Sequence, residues 1–106
     1  MSTAREGAFP MVYTTDQIRA ITAPIAAAYG IKSMSLFGSY ARGEATEESD
    51  VDILIERGSI RTAFQMGGLY ADLAEGLGKE LDLVTLDGTD KNFISRIRRD
   101  EVRLYP

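Results

Sequence analysis

Leu36-Phe37-Gly38-Ser39-Tyr40-Ala41-Arg42-Gly43, then a polar run over residues 44–49, then Asp50-Val51-Asp52-Ile53-Leu54-Ile55, is the stretch on which the fold turns. Ahead of it, Ser33, Met34, Ser35 and Leu36 alternate small polar with apolar side chains, the period-two pattern of a short strand. Gly38 to Gly43 reads as a turn with room for one helical turn from Ser39. Val51 to Ile55 is β-branched and apolar, interrupted only by Asp52, and reads as a second strand. Strand side chains alternate between faces, so Asp50 and Asp52 project together while Val51 and Ile53 point the other way, into a core.

Working outward, Thr14 and Gln17 have the spacing of a capping box and start a helix. Ile18, Ile21, Ile25 and Ala28 follow at helical spacing, and Gly30 stops it. Pro24 inside that helix removes one hydrogen bond and predicts a bend. Residues 62–77 place Met66, Leu69, Leu73 and Leu77 on one helical face, with Gly78 as the stop, although Gly67 and Gly68 each weaken the helix by roughly 1 kcal/mol relative to Ala. Residues 81–86 read as a third strand, and residues 92–103 as a final helix with Phe93, Ile94 and Ile97 facing inward. The order α-β-turn-β-α-β-α predicts an α+β (mixed α/β) domain, a small mixed β-sheet flanked by helices. Residues 1–13 read as a flexible extension and residues 14–106 as a single domain.

Composition narrows the chemistry. The 106 residues carry 12 Lys+Arg and 16 Asp+Glu, net −4, with no His, Cys or Trp. Without cysteine there is no disulfide framework, thiolate zinc site or thiol nucleophile. Without histidine there is no imidazole base, Ser-His-Asp triad or typical transition-metal site. Catalysis must use carboxylates, hydroxyls, Lys or Arg, and any metal must be a hard one. Acidity argues against direct nucleic-acid binding through general electrostatics. No targeting or membrane-spanning run is visible, so a cytoplasmic protein is the expectation.

Asp50 and Asp52 side by side repel unless a cation lies between them, and Mg²⁺ suits such oxygen donors together with substrate phosphates. Asp82, within the apolar run Leu81-Asp82-Leu83-Val84, completes a three-carboxylate cluster if the second and third strands are neighbours. Such a cluster can hold two metals ~3.5–4 Å apart, the arrangement used for in-line phosphoryl and nucleotidyl transfer. Gly38 permits close approach of backbone N–H groups to a phosphate, and Ser39 offers a hydroxyl. Arg42 either adds charge near a triphosphate or pairs with Glu44 or Glu47. Taken singly, each feature has a plainer reading: a Gly-Ser pair is usually just a turn, an Asp-x-Asp a solvated loop end, and Asp82 an ion-pair partner of Lys79 or Arg42. Other motifs fail on the residues. Glu44 and Ala45 stand where a P-loop needs Lys and Ser/Thr, and Ile53, Leu54 and Ile55 occupy positions where a calcium loop needs oxygen ligands and glycine.

Phe37-Gly38-Ser39, ten intervening residues and Asp50-Val51-Asp52-Ile53 together resemble the signature of the nucleotidyltransferase superfamily related to DNA polymerase beta. The fuller string is similar to its minimal nucleotidyltransferase (MNT) branch, with Asp82 where a third carboxylate belongs and a closing Val102-Arg103-Leu104-Tyr105 of the same flavour. The resemblance covers residues 14–105. It implies a polymerase beta-like nucleotidyltransferase fold and transfer of a nucleoside monophosphate from a triphosphate. Gly38 and Ser39, with Arg42, would hold the triphosphate; Asp50, Asp52 and Asp82 would bind Mg²⁺, with two ions expected, and Asp82 would help deprotonate the attacking hydroxyl.

Stand-alone members of this branch are commonly antitoxins paired with a HEPN-domain toxin, which implies AMP transfer from ATP to a toxin tyrosine. Alternatives are neutralisation by binding alone and modification of a small molecule such as an antibiotic. A tyrosine hydroxyl, with a pKa near 10, needs a base and a metal to attack at neutral pH. Little of the chain is left over to wall an acceptor site, so the acceptor surface is expected from a partner or from a second copy in a homo-oligomer. Arg96, Arg98, Arg99 and Arg103 make the last segment basic, and the plain reading is a solvated helix face pairing with Asp100 and Glu101.

Overall fold

Backbone pairing, more than helix packing, sets where the candidate residues stand. The computed structural model describes residues 12–106. Four strands, β1 (Ser33–Phe37), β2 (Val51–Glu56), β3 (Leu81–Thr85) and β4 (Val102–Tyr105), form one sheet in the order β3-β2-β1-β4. β1 runs antiparallel to both β2 and β4, whereas β2 and β3 are parallel. Four helices accompany them: α1 (Thr15–Tyr29), the short α2 (Gly38–Arg42), α3 (Ala63–Leu77) and α4 (Lys91–Ile97).

The helix limits follow local chemistry. Thr14 Oγ1 accepts from Gln17 N–H at 3.1 Å and Gln17 Oε1 accepts from Thr14 N–H at 2.8 Å, closing the expected capping box. The same reciprocal pair recurs between Thr62 and Gln65 at the head of α3. Gly30 and Gly78 end α1 and α3 with φ of 67° and 65°. Pro24 lies inside α1, which continues through it to Tyr29.

α1 and α3 pack on one face of the sheet, where Ile18, Met34, Leu36, Val51, Ile53, Ile55, Leu69 and Leu73 are wholly buried. Val51 and Ile53 thus point into the core as their alternation requires. The opposite face has a smaller cluster, Phe37, Leu54, Ile94 and Ile97, covered by α4. Asp52 has the parity of Leu54, so its face is apolar further along the strand and is not open water throughout.

Two boundaries differ from the sequence reading. The last helix stops at Ile97, and Val102–Tyr105 is a fourth strand bound to β1, with Leu104 buried. Tyr13 belongs with the domain: its ring packs on the core and its hydroxyl donates to the Leu77 carbonyl. The rest of the expected extension, residues 1–11, lies outside the described residues. Among the described residues no helix is long and apolar enough to cross a membrane.

Candidate active site

The end of the sheet where β1 stops and β2 and β3 begin collects most of the candidate residues. In the parallel β2–β3 pair Asp52 stands directly opposite Asp82, and in the antiparallel β1–β2 pair it stands opposite Phe37, the residue before Gly38. Register therefore brings two of the three carboxylates and the Gly-Ser turn to one place. Asp50 precedes β2 and is exposed, as is Asp82; Asp52 is half-buried.

The electrostatics single out Asp52. Its pKa is pushed up from 3.8 to about 6, first by burial, then by the charges of Asp82 and Asp50, with Arg42 opposing the rise. Two like charges thus bear on a carboxylate already partly removed from water.

Gly38 is fixed by contact as well as by conformation. Its φ is 73°, and a Cβ there would stand 2.1 Å from Asp52 Oδ2. No side chain fits between the turn and the carboxylate. α2 follows at once, and its N-cap, Phe37, supplies no side-chain hydrogen bond to the first turn. Arg42 Nε donates to Glu44 Oε1 at 3.0 Å, and Arg42 Nη1 lies 3.8 Å from Asp100 Oδ2, so the ion-pair reading of Arg42 holds in this structure. Lys79 does not reach Asp82; its Nζ donates to the Glu47 carbonyl.

The donor set fits a hard divalent cation such as Mg²⁺. It consists of carboxylate oxygens in a chain without His or Cys, and the mutual repulsion felt by Asp52 is what a cation relieves. Among the described residues, no three acidic side chains lie as they stand in an arrangement that could hold one ion.

The sequence reading expected the last helix but did not bring it to the site. Phe93 meets Phe37 edge-on at 6.4 Å, and the Arg96 guanidinium lies over the Phe93 ring at 5.6 Å. A cleft of about 240 Å³ runs between this helix and Gly38–Arg42. The i,i+3 spacing of Phe93 and Arg96 was visible in the sequence, but its target was not.

A mixed sheet that sets aspartates in register beside a glycine turn and a short helix fits the class of the nucleotidyltransferases. Residues 21–106 match the family described as Polymerase beta, Nucleotidyltransferase, and the chain belongs to that family. A Methanocaldococcus jannaschii protein, provisionally named a protein adenylyltransferase, is 38% identical over 82% of this chain and 94% of its own length. Protein adenylyltransferase MntA of Thermococcus cleftensis is 35% identical over 70% of this chain and 75% of its own. Among solved structures, one provisionally described as a minimal nucleotidyltransferase superposes with a TM-score of 0.73 at 29% identity, covering 85% of this chain and 95% of that one. A chain from the complex of a tri-AMPylated Shewanella oneidensis HEPN toxin with its MNT antitoxin shares the fold at TM-score 0.66 and 18% identity, over 86% of this chain and 71% of that one.

Proposed function

We propose that this nucleotidyltransferase moves AMP from ATP to a tyrosine hydroxyl of a partner protein of the HEPN toxin class and so acts as an antitoxin. The observation that carries the reading is the Asp52–Asp82 pair in register beside Gly38, in a chain whose relatives bear the name protein adenylyltransferase.

Asp50, Asp52 and Asp82 would hold one or two Mg²⁺ ions, which when bound neutralise charge on the phosphates and on the attacking oxygen. Gly38 and Ser39 would position the triphosphate through backbone N–H groups and the Ser39 hydroxyl, with Arg42 released from Glu44 to add charge. Asp82, exposed at the edge of the sheet, would take the tyrosine proton on a carboxylate oxygen. The tyrosine oxygen then bonds to the α-phosphorus as the bond to the bridging oxygen breaks, and pyrophosphate leaves.

The test is intact mass of the partner after incubation with this chain, ATP and Mg²⁺. An increase of one AMP unit or a multiple is expected with wild type and none with Asp52→Asn. Absence of any increase with wild type overturns the catalytic reading.

A groove of about 730 Å³ lined by Met66, Tyr70, Leu83 and Asp82 favours a second reading, neutralisation by binding alone. In that case Asp52→Asn would protect cells from the toxin as well as wild type does.

A further inference from the structure

Gly38 lies against Asp52, which feels the charges of Asp82 and Asp50, and it also lines the cleft between α2 and α4, where Arg42, Arg96 and Asp100 stand. The two arginines are held differently. Arg42 is paired with Glu44 and Asp100, whereas Arg96 forms no ion pair among the described residues. Arg96 is instead held by an aromatic relay: it stacks on Phe93, and Phe93 packs edge-on against Phe37, the residue that precedes Gly38. A guanidinium oriented in this way is suited to a phosphate oxygen at little cost in ordering. It arrives from a helix outside the sequence signature, which is why the motif alone does not reveal it.

We infer that Arg96 is a nucleotide-binding residue that contacts the β- and γ-phosphates from the α4 side of the cleft, with the Phe37–Phe93 pair as its support. The inference rests on the nucleotide reading of the Gly38 turn and goes beyond it in naming a second cation and the part of the nucleotide that it meets. Phe93 then sets the position of Arg96, and Asp100 keeps the neighbouring Arg42 within reach.

Titration calorimetry with Mg²⁺ and the non-hydrolysable triphosphate AMP-PNP, and separately with AMP, tests it on the whole chain. Arg96→Ala is expected to bind AMP-PNP about tenfold more weakly than wild type, which is ~1.4 kcal/mol, and to bind AMP unchanged. Arg99→Ala removes a nearby exposed charge that does not line the cleft, and it is expected to match wild type with both ligands. Equal AMP-PNP affinity in Arg96→Ala and wild type overturns the assignment, as does an equal loss for AMP and AMP-PNP or an equal loss in Arg99→Ala. If wild type itself binds neither nucleotide, the reading of the Gly38 turn fails and takes this one with it; the two failures are therefore told apart by the wild-type titration.

Discussion

The two ends of the β2–β3 pair treat acidic groups in opposite ways. At the far end Glu56 accepts from Ser33 Oγ at 2.7 Å and faces Lys32 at 4.0 Å. There Arg57 donates to Asp87 at 2.8 Å, and that hydrogen bond leads the effects that hold the Asp87 pKa below its ordinary value. At the near end Asp52 meets two other carboxylates and its pKa rises to about 6. Acidic groups at the far end have partners; those at the near end mostly repel one another. Unneutralised charge is what sets the candidate site apart from the other end of the strands. The cleft bounded by Lys32, Glu56 and Arg57 encloses about 410 Å³ and lies away from these aspartates.

The sharpest way to break the comparison is Asp52→Asn. On the proposed function it should lower AMP transfer by about a hundredfold or more, measured as single-turnover rate, because that reading needs the Asp52 charge in the transition state. Gly38→Ala comes next. With φ of 73° and Asp52 Oδ2 at 2.1 Å from the new Cβ, it should cost about 2–3 kcal/mol in chemical denaturation. Gly43→Ala, with φ of 74° and no atom within 4 Å of its Cβ, should cost only about 1 kcal/mol. The difference between the two glycines measures the contact with the carboxylate.

A smaller effect concerns stability and pH. The folded-state pKa of Asp52, about 6, lies above the ordinary 3.8, so its ionised form opposes folding. That cost is absent below about pH 4, grows as pH rises from about 4 to 6 and is fully present above. After allowance for solvent screening it amounts to about 1 kcal/mol. In metal-free protein Asp52→Asn should therefore raise the thermal midpoint near neutral pH and leave it unchanged at about pH 4, gaining stability while losing activity. Mg²⁺ at ten times its Kd should stabilise wild type near neutral pH by about 1.4 kcal/mol, and Asp52→Asn by much less. Smallest of all, Arg57→Ala at the paired end should change stability by under about 1 kcal/mol and leave transfer untouched.

Much of this was legible in the sequence because local rules govern it. Thr14 with Gln17, Gly30 and Gly78 mark helix ends through hydrogen bonds within a few residues, and the alternation in residues 33–37 and 51–55 needs no knowledge of neighbours. What escaped depends on distant pairing. Arg98-Arg99-Asp100-Glu101 is as compatible with a helix as with a turn by propensity, and only β1 turns the residues after it into a strand. Glu101 is held there by the Ser35 hydroxyl, a partner 66 residues away. For the site, the motif gave Asp50, Asp52, Asp82, Gly38, Ser39 and Arg42 as candidates; the register of Asp52 with Asp82 and the arrival of Arg96 are tertiary facts.

That register has a kinetic consequence. Asp52 meets Asp82 only when β2 and β3 align to the residue, and a slip of one place would turn Asp82 to the other face. The parallel pair closes across the whole of α3, a longer loop than the one joining β1 to β2, so its alignment is expected after the β1–β2 hairpin has formed. Competence to bind Mg²⁺-nucleotide would then appear when β3 joins the sheet. During refolding, nucleotide binding should report that step and not the earlier hairpin.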